Sequence, residues 1–71
     1  MKNLVQKNLN KKNGNMFAPG TYEYFAYQEG YSDFEKGFSP LANPYVSKNT
    51  RDAWDDGYYS AKHMFDVDDN L

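Results

Sequence analysis

From Thr21 onward, large apolar side chains recur at helical intervals. Tyr24, Tyr27, Tyr31, Phe34 and Phe38 follow one another at three, four, three and four residues, which places them on one face of an α-helix. Glu23, Gln28, Asp33, Glu35 and Lys36 fall mostly off that face. Thr21 follows Pro19-Gly20 and precedes Glu23, so it reads as an N-cap. Gly37, followed by Ser39-Pro40, reads as a stop. The pattern predicts a first helix over about residues 21–36. A second apolar face is made by Ala53, Trp54, Gly57, Tyr58, Ala61, Met64 and Phe65. It predicts a second helix over about residues 49–65. Asn49 is its expected N-cap and Asp52 lies in its first turn, while Lys62 and His63 near its end would complement the helix dipole.

The segments around these helices carry weaker patterns. Residues 37–48 form a connector in which Pro40 and Pro44 hold their neighbours extended. Leu41, Tyr45 and Val46 are its expected apolar anchors, with Asn43-Pro44 as a turn. Leu4, Val5 and Leu9 have helical spacing but are few, and Asn13-Gly14-Asn15 is a turn signal. Residues 1–20 are therefore expected to be a flexible arm and linker, with Met16 and Phe17 tucked against the body. Residues 67–71 are expected to be an acidic tail. The fold class is all-α: a small helical hairpin over residues 21–66, with an ordered Pro-containing connector.

Two stretches repeat one pattern. "AYQEGYSDF" begins at Ala26 and "AWDDGYYSA" at Ala53. Glycine in a helix interior costs about 1 kcal/mol relative to alanine, and this chain accepts it at Gly30 and again at Gly57. The apolar period continues through both positions, which favours a close crossing of two helices over a pair of helix breaks. The crossing would set Tyr27 and Trp54 over the glycines of the partner helix. The expected core is Tyr27, Gly30, Tyr31, Phe34, Pro44, Tyr45, Trp54, Gly57, Tyr58 and Ala61.

Composition changes the character of that core. Seven Tyr, five Phe and one Trp stand against four Leu, three Val and no Ile in 71 residues. A chain this short buries a modest fraction of its surface, and without cysteine it has no disulfide or thiolate metal site to staple it. Aromatic side chains give a small domain the most buried area per position. Their abundance also suits an interface, and a homodimer is compatible with it.

Charge is divided along the chain. Residues 1–20 hold Lys2, Lys7, Lys11 and Lys12 and no acid, whereas residues 21–71 hold four basic residues and all ten acids. The lysines are candidate phosphate contacts; the other reading is a solvated arm. On the body, Tyr22, Asp52, Asp55, Asp56 and Tyr59 are candidates for a protein-partner surface. The first residues lack the apolar run of a signal peptide, and no stretch is apolar for long enough to span a bilayer. These features lead to the expectation of a cytoplasmic protein.

Reactive chemistry finds little support. His63 is the single histidine, with no cysteine or second histidine to complete a metal or nucleophilic site. The run from Asp66 starts like a calcium loop but lacks the glycine at its sixth position. Asp52, Asp55 and Asp56 would need a cleft and shifted pKa values for acid–base work. No glycine-rich phosphate loop occurs. The expectation is a protein that is not an enzyme, with no cofactor, metal or small-molecule substrate.

The order Ala-Tyr-x-x-Gly-Tyr-x-x-Phe, a connector with Asn-Pro-Tyr, and Arg-x-Ala-Trp-x-x-Gly-Tyr resembles the ribosome modulation factor family, which includes many short phage and plasmid proteins. The matching positions are Gly30, Tyr31, Pro44, Tyr45, Trp54 and Gly57, within about residues 24–62. The resemblance implies two helices joined by a Pro-Tyr connector. It also implies a non-catalytic protein of translation regulation that binds ribosomal RNA and proteins. This chain departs from the family in its acidic body, its positive charge lying in the first twelve residues. Two expectations follow: association with the ribosome or another ribonucleoprotein, or an acidic, tyrosine-rich adaptor or inhibitor, phage-encoded in kind, on a large host protein complex.

Overall fold

The structure, a computed structural model, describes residues 14–69, with side chains as far as Asp66. Two helices, α1 (Tyr22–Glu35) and α2 (Lys48–Asp69), pack against each other as a hairpin, joined through a single 3-10 turn at Pro40–Ala42. No strand occurs among the described residues. No helix among them is long and apolar enough to cross a membrane.

The ends of α1 form as their residues dictate. The Tyr24 amide donates to the Thr21 hydroxyl at 3.1 Å, so Thr21 is the N-cap. At the other end Gly37 has φ +88°, a left-handed conformation that costs glycine nothing. Its amide bonds the Phe34 carbonyl at 2.9 Å, and the Phe38 amide bonds the Asp33 carbonyl at 3.0 Å. This pair of bonds is a Schellman motif. The buried Tyr58 hydroxyl then donates to the Phe38 carbonyl at 2.8 Å, tying the end of α1 to α2.

Several boundaries and burials differ from the sequence reading. The Arg51 amide bonds the Ser47 carbonyl at 2.8 Å, so α2 starts at Lys48 and Asn49 is not its cap. The helix also continues to Asp69, through the start of the expected acidic tail. No Gly or Pro interrupts it there, and Lys62 pairs with Asp66 one turn on at 3.3 Å. Within the stretch expected as a flexible arm and linker, the described residues from Gly14 are fastened to α1 through Asn15. The Asn15 amide donates to the Tyr24 carbonyl at 3.0 Å and to Gln28 Oε1 at 2.8 Å, while its own oxygen accepts from the Phe17 amide. Phe17 packs at the edge of the core, but Met16 is 93 % exposed.

The helix crossing is made by small residues. Ala26 and Gly30 on α1 meet Ala53, Gly57 and Ala61 on α2, all buried. A Cβ added to Gly30 would fall on the Trp54 carbonyl oxygen and lie 3.0 Å from the Tyr58 nitrogen. A Cβ added to Gly57 would fall on the Tyr27 carbonyl oxygen, 2.8 Å from its carbon. Each glycine therefore sits on the backbone of the aromatic residue that precedes the other glycine by three. In this arrangement a Cα–H points at a carbonyl, a weak contact that recurs at close helix interfaces. The crossing expected from the repeat is observed, with the partner's backbone rather than its side chain over each glycine.

Trp54 is the largest fully buried side chain. It stacks on Tyr58 with centroids 5.0 Å apart, and its indole N–H donates to Asp33 Oδ2 at 3.0 Å. Asp33, which the periodicity sets off the apolar face, is 7 % exposed. A buried indole requires an acceptor, and Asp33 supplies it. Of the other expected core residues, Tyr27, Gly30, Gly57, Tyr58 and Ala61 are buried, and Tyr31, Phe34 and Tyr45 are partly buried. Pro44 is exposed, as are Leu41 and Val46. The connector is instead held by polar groups. Asn43 donates to the Arg51 carbonyl at 2.9 Å and to Asp55 Oδ1 at 3.0 Å, and it accepts from the Tyr45 amide.

Tyr45 completes the clasp by donating to Glu29 Oε1 at 2.6 Å. This hydrogen bond, followed by burial and the charges of Glu29 and Asp33, pushes the phenol from 10.0 up to about 12. The folded chain thus holds the proton more tightly than the unfolded chain. The resulting stabilisation is complete below pH 10 and is lost as pH rises to about 12. A tyrosinate absorbance titration should contain one phenol titrating near 12 that disappears in Tyr45→Phe and moves down in Glu29→Gln.

Candidate functional site

The solvent face of α2 carries a concentrated set of functional groups. Asp52, Asp56, Tyr59, His63 and Asp66 recur at three or four residues along it, with Asp55 beside Asp56, opposite the buried Ala53-Trp54-Gly57-Tyr58-Ala61 face. Tyr59 is half exposed, edge-on to Tyr58 with centroids 5.1 Å apart. A tyrosine ring, with few rotatable bonds, offers contact area at a low entropic cost on binding.

A cleft of about 690 Å³ opens beside this face. Tyr27 and Phe17 contribute aromatic walls, Met16 stands at the rim, and Asp56, Tyr59, His63 and Met64 come from α2. The 14–17 segment forms the opposite side because Asn15 holds it on α1. The lining is largely apolar with carboxyl groups to one side, a form suited to an amphipathic, positively charged side chain or segment.

The carboxyl groups differ in what they already do. Asp52 pairs with Lys48 at 2.8 Å, both exposed, an ion pair of small energetic weight. Asp55 accepts from the Asn43 amide and so belongs partly to the connector clasp. Asp56 has no hydrogen bond or ion pair among the described residues. Partial desolvation, then the nearby Asp52 and Asp55, raises the Asp56 carboxyl from its ordinary value. A cation placed here would relieve that repulsion.

The structure gathers Asp55, Asp56 and Tyr59 at the cleft, with Asp52 one turn away on the same helix. Tyr22 is exposed at the first position of α1 and does not line the cleft. Lys2, Lys7, Lys11 and Lys12 lie outside the described residues. Sequence reasoning missed Met16 as a rim residue, Phe17 and Tyr27 as cleft walls, and Asn43 as the partner of Asp55. The signal for Asn43 is faint: an asparagine before proline reads first as a turn former. No group of three or more His, Cys, Asp or Glu among the described residues is placed to hold a metal ion. The chain matches no model of a known protein family, no curated protein and no solved structure.

Proposed function

We propose that the protein is a non-catalytic binding module that associates with the ribosome or another ribonucleoprotein. The acidic, tyrosine-bearing face of α2 docks on a basic protein component, and Lys2, Lys7, Lys11 and Lys12 contact phosphate. The observation that carries this reading is the placement of Asp56 and Tyr59 beside an apolar cleft on a strongly acidic body. Complementary charge steers such a face to a basic surface, and its aromatic residue anchors it there. The resemblance to the ribosome modulation factor family makes the ribosome the first target. The acidic body also favours a second reading, an adaptor or inhibitor that uses the same face on a host protein complex without RNA.

Sedimentation with ribosomes separates the two. Full-length protein is expected to co-sediment with ribosomes or subunits at low salt. A chain beginning at residue 14 keeps the Asn15 anchor and lacks the four lysines. Its binding should weaken, and its salt slope should flatten by about one unit for each phosphate that a lysine no longer neutralises. Asp52→Lys combined with Asp56→Lys, which leaves the Asn43–Asp55 clasp intact, should slow association by about tenfold or more. A full-length chain that never co-sediments at low salt overturns the ribosome reading. The adaptor reading then leads, with its target sought by pulldown from host lysate.

A further inference from the structure

One stripe of α2 brings a carboxylate, a phenol ring, a hydroxyl and an imidazole into the cleft: Asp56, Tyr59, Ser60 and His63. Residues three or four apart on a helix are surface neighbours, with Cβ atoms about 5–6 Å apart. The Asp56 carboxylate and the half-exposed Tyr59 ring therefore stand side by side. Neighbouring carboxylates are engaged: Asp52 pairs with Lys48, Asp66 pairs with Lys62, and Asp55 accepts from Asn43. Asp56 has no hydrogen bond or ion pair among the described residues. The complement of this stripe is a cation that also has a surface to lay on a ring.

The rest of the cleft narrows the choice of cation. Met16, Phe17 and Tyr27 also line it, and the Phe17 and Tyr27 rings lie with centroids 6.2 Å apart. A cation that enters must shed part of its water and bring an apolar stem with it. Arginine meets these conditions better than lysine. Its guanidinium is more weakly hydrated than an ammonium, stacks on aromatic rings and offers two parallel N–H groups to one carboxylate. The volume, about 690 Å³, is that of a ligand pocket, which leaves room for an apolar residue next to the arginine.

We infer that the cleft takes an arginine side chain from a basic segment of the partner protein, its guanidinium paired with Asp56 and stacked on Tyr59. The methylene stem of that arginine lies along the apolar wall, and an apolar neighbour in the segment packs on Met16, which is 93 % exposed. The inference rests on the α2 face being a docking surface for a basic protein, and it adds the residue type which that surface recognises. It does not depend on the ribosome being the target, since a basic segment of any protein complex can present such an arginine.

Titration of the nitrogen-15-labelled full chain with acetyl-Gly-Leu-Arg-Leu-Gly-amide tests this directly, at low salt and up to about 10 mM peptide. Amide shifts should concentrate at Asp56, Tyr59, Ser60 and His63, while Leu41 in the connector stays in place. The lysine counterpart of the peptide should bind about threefold more weakly, and the uncharged norleucine counterpart about tenfold more weakly. Asp56→Asn should weaken the arginine peptide about tenfold and Tyr59→Leu about threefold. Asp52→Asn should have less effect than Asp56→Asn. Lysine or norleucine peptides that bind as well as arginine overturn the inference, as do equal losses in the two aspartate variants or no shift with any peptide. The same shifts on concentrating the protein without peptide would assign the cleft to a second copy and also overturn it. Failure here, with ribosome association still slowed by Asp52→Lys and Asp56→Lys, removes the arginine and leaves the docking face. Arginine selectivity in a chain that never co-sediments with ribosomes leaves the cleft's occupant in place and removes the ribosome.

Discussion

Gly57→Ala is expected to unfold the protein, even though alanine favours a helix over glycine by about 1 kcal/mol. The added carbon would fall on the Tyr27 carbonyl. Neither group can turn aside, because both belong to the backbone of a packed helix. The helices must move apart, which opens gaps around Ala26, Ala53 and Trp54, all fully buried. Overpacking in ordinary cores costs about 1–3 kcal/mol where side chains absorb the strain, and here the cost should be at or above the top of that range. A 71-residue chain at the low end of ordinary per-residue stability has about 4 kcal/mol to lose. Gly30→Ala should behave alike, since its carbon would meet the Trp54 carbonyl. Thermal melts by circular dichroism check both. An unchanged or raised midpoint in either variant would show that the close approach is not required.

Trp54→Ala is expected to remove about 3–5 kcal/mol, the usual cost of deleting a large buried aromatic. Two effects combine: removal of the stacking partner of Tyr58 and of the donor to Asp33. Trp54→Phe divides them. It retains a ring against Tyr58 and leaves the buried Asp33 oxygen without the indole, a loss of about 1–3 kcal/mol. Asp33→Ala in that background should then cost less than Asp33→Ala in the wild type, because the bond is already absent. Equal costs in the two backgrounds would mean that the Asp33–Trp54 bond contributes nothing. A Trp54→Ala chain that keeps its helical signal and thermal midpoint would contradict the burial itself.

What the sequence revealed depended on whether the signal was local. Thr21 and Gly37 were legible because capping groups act within a few residues. The glycine pair was legible because an unfavourable residue in mid-helix calls for a tertiary reason, and the repeat named the same reason twice. Asp33 was not legible. Its partner lies 21 residues on, and a polar residue beside an apolar stripe ordinarily faces water. Asn15 and Asn43 escaped in the same way, since an amide that bridges elements leaves no periodic trace. Leu41, Val46 and Pro44 misled in the opposite direction, because apolar residues in a short connector do not by themselves indicate contact. At the site, the sequence identified Asp55, Asp56 and Tyr59 as neighbours on one helix. It could not show the cleft beside them, whose far wall is set by the position of residues 14–17.

The reciprocal seating of Gly30 and Gly57 also bears on how many ways this chain can fold. An aromatic core with few branched aliphatic residues discriminates poorly between alternative packings, since flat rings slide over one another with little change in area. The two glycines remove that freedom. Moving one helix along the other by a single turn, about 5.4 Å, would carry each glycine off its carbonyl and bring a residue with a Cβ into the narrowest part of the crossing. Neighbouring registers are thereby raised in energy while the native one is left alone, which widens the gap between the native basin and its competitors. The glycines thus give the hairpin a single register at positions where their effect on helix stability alone is unfavourable.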